Sequence, residues 1–263
     1  MPRRNDELRG PDELRSLVEE RLEELRLWPQ LHGQAESVRY SLLVGGKRVR
    51  PVICLATAEA VGARPELALP AGCALELVHT FSLVHDDLPA LDADDERRGR
   101  PSTWKQYGEA VGILAGDALL AEAFRLATSY DTPEIARELS EATLGMIGGQ
   151  YLDITGTAPD EATLHKLKTG CLFAASVGLG LWVAGVPEAE QAPWRGFGDE
   201  LGLLFQIVDD ILDGDGYVVT HGVDGARALA DEAADRARGR LAAIGADTSV
   251  LRDIVDDLAV RTA

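Results

Sequence analysis

Lysine is nearly missing from this sequence. Only Lys47, Lys105, Lys166 and Lys168 stand among its 26 basic residues, and 44 acids outnumber those bases. The formal net charge is −18. A chain so acidic lacks the basic footprint that nucleic acid or an anionic membrane surface requires, which excludes both as partners. The same surplus should repel an anionic small molecule unless cations intervene. Cysteine is scarce as well. Cys54, Cys73 and Cys171 are odd in number, widely spaced and set in apolar stretches. They offer no disulfide framework and no zinc motif, and they read as buried thiols of a reducing, cytoplasmic protein. No run reaches about 18 apolar residues and no apolar leader opens the chain, so a signal peptide and a stable membrane association are not expected. Strand signals are confined to Tyr217-Val218-Val219-Thr220. No Pro-, Gly- or Ser-rich spacer divides the chain, and no solenoid period is present.

What is present is helical periodicity. Leu14, Val18, Leu22 and Leu25 recur at helical spacing in 12–27. Pro51 suits the first turn of a next helix, where its missing N–H is not needed. Helices also fit 66–87, 109–128, 134–153, 161–184, 197–213, 225–244 and 248–260. With 46% hydrophobic residues the 263-residue chain can fill a core of its own. The expectation is one all-α domain over residues 1–263.

Two acidic clusters lie beside strongly apolar helix. The first is Asp86-Asp87-Leu-Pro-Ala-Leu-Asp92. The second is Asp209-Asp210-Ile-Leu-Asp213, in which Gln206, Asp209, Asp210 and Asp213 fall at i, i+3, i+4 and i+7 of one helical face. An exposed acidic face would explain either cluster alone. Like charges one turn apart repel, however, and the repulsion grows on partial burial unless a cation sits between them. Two such clusters point to a hard metal ion, magnesium or manganese, which oxygen ligands suit better than zinc. His79 shares a helical face with Ser82 and Asp86. The bases cluster too, in Gly45-Gly46-Lys47-Arg48-Val49-Arg50-Pro51 and in Arg97-Arg98-Gly99-Arg100-Pro101. Either is compatible with a surface charge run. Beside two carboxylate sets, they suggest a site for a metal-bound diphosphate, since arginine forks grip phosphate oxygens bidentately.

These pieces occur in one order: GGKRVRP, ELVHTFSLVHDDLPALD, RRGRPS, AGDALL, GGQYLD, LKTG, FQIVDDILD. Across residues 12–213 the chain resembles the short-chain trans-prenyl diphosphate synthases, of the farnesyl and geranylgeranyl type. The resemblance implies a bundle of antiparallel helices around a deep central cavity, with the two aspartate motifs facing each other across its mouth. It implies three Mg2+ ions, two on Asp86, Asp87 and Asp92, and a third on Asp209 with Asp210 and Asp213 nearby. It places Lys168, Thr169, Arg97 and Gln206 on an allylic diphosphate. Lys47, Arg50, His79 and Arg98 are placed on isopentenyl diphosphate, and Gln150 and Asp153 near the metal waters. It also implies a homodimer, for which the apolar helix 109–128 is a plausible interface. Phe81, about 7.5 Å down the helix axis from Asp86 at about 1.5 Å per residue, would be the cavity floor of a farnesyl-producing enzyme. Geranylgeranyl product, or a weakly active partner subunit, is the alternative.

The sequence departs from that family in two places. Trp104 stands where many relatives have His. After Asp213 the family's lysine-bearing loop is replaced by a shorter, lysine-free segment. Its candidates for closing over diphosphate are His221 and Arg227, and this puts lid closure in question.

Overall fold

The computed structural model describes residues 8–261, and these form an all-α bundle. Its helices are α1 (Pro11–Glu23), α2 (Gln34–Leu42), α3 (Val49–Ala60), α4 (Pro65–Asp86), α5 (Thr103–Tyr107), α6 (Glu109–Ala127), α7 (Glu134–Thr155), α8 (Glu161–His165), α9 (Cys171–Val183), α10 (Ala192–Asp213), α11 (Gly216–Ala242) and α12 (Ser249–Val260). A single π-helical turn, Lys166–Gly170, joins α8 to α9. Two two-residue strands, β1 (Glu96–Arg97) and β2 (Arg100–Pro101), pair antiparallel with Arg97 opposite Arg100.

The helix starts follow from local chemistry. Pro11 occupies the first turn of α1, and the Glu13 carboxylate accepts from the Gly10 N–H, filling one of the orphan donors that every helix N-terminus leaves. Leu14, Val18 and Leu22 are fully buried on its inner face. Helix α4 is the axis of the bundle and packs against α3, α6 and α9. It is buried nearly all round, from Ala68 to Val84, as a helix apolar on every face must be. It is long and apolar enough to cross a membrane, but 67% of that window is buried inside the protein. Helix α10 packs on α9 and on α11, and α12 closes over α10 and α11.

Several expected elements differ from those observed. Tyr217-Val218-Val219-Thr220 is not a strand but the first turns of α11. The Tyr217 N–H is taken by a carboxylate of α10, and that tertiary contact overrides β-branched propensity. The segment expected as one helix over 161–184 is interrupted by the π turn. Helix α2 escapes a reading of periodicity because QAESVRYSL buries only Ser37, Val38 and Leu42. Cys54 and Cys73 are buried, and burial pushes both thiols up, Cys73 to about 12. Cys171 is only partly covered, unlike the fully buried thiol expected.

Candidate active site

A cavity of ≈ 770 Å³ opens among α3, α4, α7, the π turn, α9 and α10, within the range of roughly 300–1,000 Å³ typical of small-molecule sites. Its inner wall is apolar, with Phe81, Met146 and Leu172. Its mouth carries Lys47, Arg50, Arg97, Arg98 and Lys168 together with Asp86 and Asp209. His79, Gln150 and Thr169 complete the polar lining.

The basic mouth is built from two loops held together. Arg98 and Gly99 form the turn of the β1–β2 hairpin, both in the left-handed region (φ 53° and 75°), as a two-residue hairpin turn favours. The turn carries Arg98 over to the Gly45–Gly46 loop, where its guanidinium donates to the Gly45 carbonyl. Within GGKRVRP the cations take different jobs. Arg48 turns inward and binds Glu19 (2.9 Å) and Glu76 (2.5 Å), so it fixes the loop. Arg50 faces the cavity with its guanidinium carbon 4.5 Å from the Phe173 ring centroid. Its Nε is buried and has no partner. Burial lowers the Arg50 pKa to about 10, only partly offset by Glu76 and Asp209. His79 is pushed well below its ordinary range by burial and then by Arg50 and Arg98, so it is a neutral imidazole at neutral pH.

The six aspartates do not form one set. Asp86 and Asp209 line the cavity. Burial raises Asp86 to about 6, with Lys168 opposing and Asp92 and Asp87 adding to the rise. Asp209 is raised by burial and then by Asp213 and Asp210. Like-charge crowding of this kind is what a divalent cation relieves. The donors nearest the mouth are carboxylate oxygens, which fit magnesium or manganese. Asp92 and Asp213 are exposed and do not line the cavity. Asp87 is 2% exposed, and both its oxygens are held by Arg97 Nε at 2.9 Å. Asp210 is 3% exposed and lies behind α10, where it is bonded to Gln206 and to the start of α11. The polar stripe expected from helical spacing is therefore split: Asp209 serves the cavity and Asp210 the helix joint.

The π turn explains how Lys168 and Thr169 reach the cavity. Inserting one residue into a helix swings the following side chains round its axis, a feature frequent at functional sites. Lys168 Nζ donates to Asp153 Oδ2 at 2.5 Å, which joins two residues that sequence reading had set on different sites. Helix α7 must come very close for this. A Cβ at Gly149 would lie 2.5 Å from the Lys168 nitrogen. Gly149 was not singled out in the sequence, although the small pair in GGQYLD is its visible trace. Met146, Ile147, Tyr151, Ile154 and Leu172 were also missed, since apolar lining residues look like ordinary core. His221 and Arg227 are exposed and lie outside the cavity wall.

Comparisons with known proteins agree with this geometry. The polyprenyl synthetase family matches residues 34–225. A geranylgeranyl diphosphate synthase of Cyanophora paradoxa is 44% identical over 194 residues, covering 68% of this chain and 64% of that protein. A farnesyl diphosphate synthase of Bacillus subtilis is 43% identical over 196 residues, covering 69% of this chain and 66% of its own. The chain thus spans between about half and two thirds of the curated relatives it matches. The crystal structure of an FPP/GFPP synthase from Zymomonas mobilis superposes with a TM-score of 0.82 at 29% identity, covering 95% of this chain and 97% of that one. With the family match spanning most of its length, this chain belongs to the polyprenyl synthetase family.

Proposed function

We propose that the chain is a prenyltransferase that condenses isopentenyl diphosphate with an allylic diphosphate. The observation that supports this is the cavity itself, in which a cationic mouth with two opposed carboxylates leads to an apolar interior. Lys168, Thr169 and Arg97 would hold the allylic diphosphate, and Lys47, Arg50 and Arg98 the isopentenyl one. Neutral His79 donates a hydrogen bond without adding charge. Asp86 and Asp209, joined by the exposed Asp92 and Asp213, would hold magnesium or manganese. The metal would supply positive charge against the leaving group.

The chain's own residues then do three things. The cations bear the charge that builds on the leaving diphosphate. The allylic C–O bond breaks with its electron pair going to that diphosphate, the isopentenyl double bond forms the new C–C bond, and the released proton goes to diphosphate. The Thr169 hydroxyl and the Gln206 amide oxygen steady the cation between these events. The apolar wall excludes water, which would otherwise capture it. Purified protein with magnesium, radiolabelled isopentenyl diphosphate and each allylic primer should yield an elongated product; none with any primer overturns the assignment.

Phe81 is the proposed floor and farnesyl diphosphate the proposed product. Phe81 is 7% exposed, and its ring meets His85 edge-on at 5.1 Å. Phe81→Ala should lengthen the product by at least one five-carbon unit on reversed-phase chromatography, and an unchanged length removes Phe81 from that role. The names of several relatives, geranylgeranyl diphosphate synthases at 44–47% identity, favour a geranylgeranyl product as the second reading.

We also propose a homodimer through α6 and α7. Ile113, Leu114, Leu144 and Ile147 are 46%, 55%, 65% and 44% exposed. On a chain with 27% charged residues, such a patch marks an association surface. Leu114→Glu with Leu144→Glu should halve the mass found by light scattering; an unchanged mass excludes this face.

A further inference from the structure

We propose that Asp210 is a positioning residue that holds no metal: it fixes the amide of Gln206 and clamps the start of α11. This rests on the prenyltransferase reading above. Asp210 is 3% exposed, and its carboxylate is committed on both sides. Oδ1 accepts from Gln206 Nε2 at 2.6 Å. Oδ2 accepts from the Tyr217 N–H at 2.9 Å.

The chain is wrapped around this carboxylate. A Cβ at Gly216 (φ 43°) would stand 2.1 Å from Asp210 Oδ2, so only glycine lets the backbone pass. The Asp210 carbonyl accepts from Gly214 N at 2.8 Å and Asp215 N at 3.2 Å. Glu161 and His165 lie beside the carboxylate, their ligand atoms within 4.8 Å of those of Asp210, a spacing that could hold a metal ion. A magnesium ion keeps several waters and near-ideal octahedral geometry, whereas both oxygens of the Asp210 carboxylate already accept hydrogen bonds from the protein.

The consequence runs through Gln206. Its NH2 is taken by Asp210, so its amide oxygen is the free end. Gln206 does not itself line the cavity, and under the prenyltransferase reading that oxygen would turn toward its cavity-lining helix neighbours Phe205 and Asp209. A partial negative charge there suits a developing allylic cation; the NH2 would oppose it. Asp210 thus sets which end of the amide the reaction meets, and ties that choice to the joint between α10 and α11.

The test compares wild type, Asp209→Asn, Asp210→Asn and Gly216→Ala. Mn2+ binding in the presence of inorganic diphosphate is read by paramagnetic resonance of the free ion. Asp209→Asn should weaken it about tenfold or more, and Asp210→Asn by less than about twofold. Turnover should fall about 10–100-fold in Asp210→Asn, with KM for both substrates within about threefold. In a Gln206→Ala background, Asp210→Asn should remove little further activity, because the two act as one unit. Tenfold weaker Mn2+ binding in Asp210→Asn, or additive losses with Gln206→Ala, overturns the proposal. If Asp210→Asn does not fold, Gly216→Ala carries the test, since it keeps every carboxylate. Its kcat should fall and the fall should vanish in the Gln206→Ala background; an unchanged kcat overturns the clamp. A wild type without product on any primer ends the prenyltransferase reading instead, while the Mn2+ measurement still decides whether Asp210 ligates.

Discussion

Asp86→Ala is expected to lower kcat by about three orders of magnitude, about 4 kcal/mol of transition-state stabilisation, and Asp209→Ala by a similar factor. The two carboxylates face the same cavity from α4 and α10, and neither substitutes for the other. A second readout, without substrate or metal, separates this from misfolding. Burial raises the Asp86 carboxyl from 3.8 to about 6, so folding favours its protonated form. The resulting penalty is absent below about pH 4, grows as pH rises, and is complete above about pH 6. With chelator present, Asp86→Ala should therefore melt higher than wild type at pH 7, and the gap should close by pH 4. A variant that melts lower than wild type at pH 7, or keeps turnover within tenfold, would show that Asp86 is a structural group.

Gly149→Ala is expected to have the second-largest effect, on stability and activity together. Alanine is the better helix former by about 1 kcal/mol, so propensity alone predicts a more stable protein. The close approach predicts the opposite. The added Cβ would meet the Lys168 nitrogen at 2.5 Å, its Cα at 2.8 Å and the Leu167 carbonyl carbon at 2.9 Å. All are backbone atoms that no rotamer change can move aside. Overpacking of this kind costs about 1–3 kcal/mol, so the melting temperature should drop by several degrees. The displaced π turn carries Lys168 and Thr169, so kcat should fall about 100-fold, as misplacement of about 1 Å allows. A melting temperature at or above that of wild type would mean that α7 and the π turn do not need this proximity.

How much of this was legible in the sequence depends on the kind of contact. The helices with a wide apolar face, α1, α4, α6 and α7, could be placed within a few residues, because burial writes its period directly into the chain. The fold class followed from that. So did the gathering of Lys47, Arg50, His79, Asp86, Lys168 and Asp209, once the order of motifs was set beside the family. Illegible were the features decided by approach rather than by pattern. The π turn leaves no periodic trace, since it only shifts a phase. Helical spacing put Asp209 and Asp210 on one stripe, but the wrapping of Gly216 around the second sends the two in different directions. Arg48 looked like its neighbours Lys47 and Arg50, and only buried Glu76 and half-buried Glu19 reveal it as a tether.

The link from Arg98 to the Gly45 carbonyl bridges 53 residues of sequence. Closing so long a loop carries an entropic cost that local helix formation does not recover. The two halves of the basic mouth are therefore expected to meet after α3 and α4 have docked, as a late, long-range event in folding. A chain that has collapsed with its helices formed but unpacked has neither half in place. Tight binding of inorganic diphosphate would then report the completed tertiary structure, and during refolding it should be regained among the last native properties.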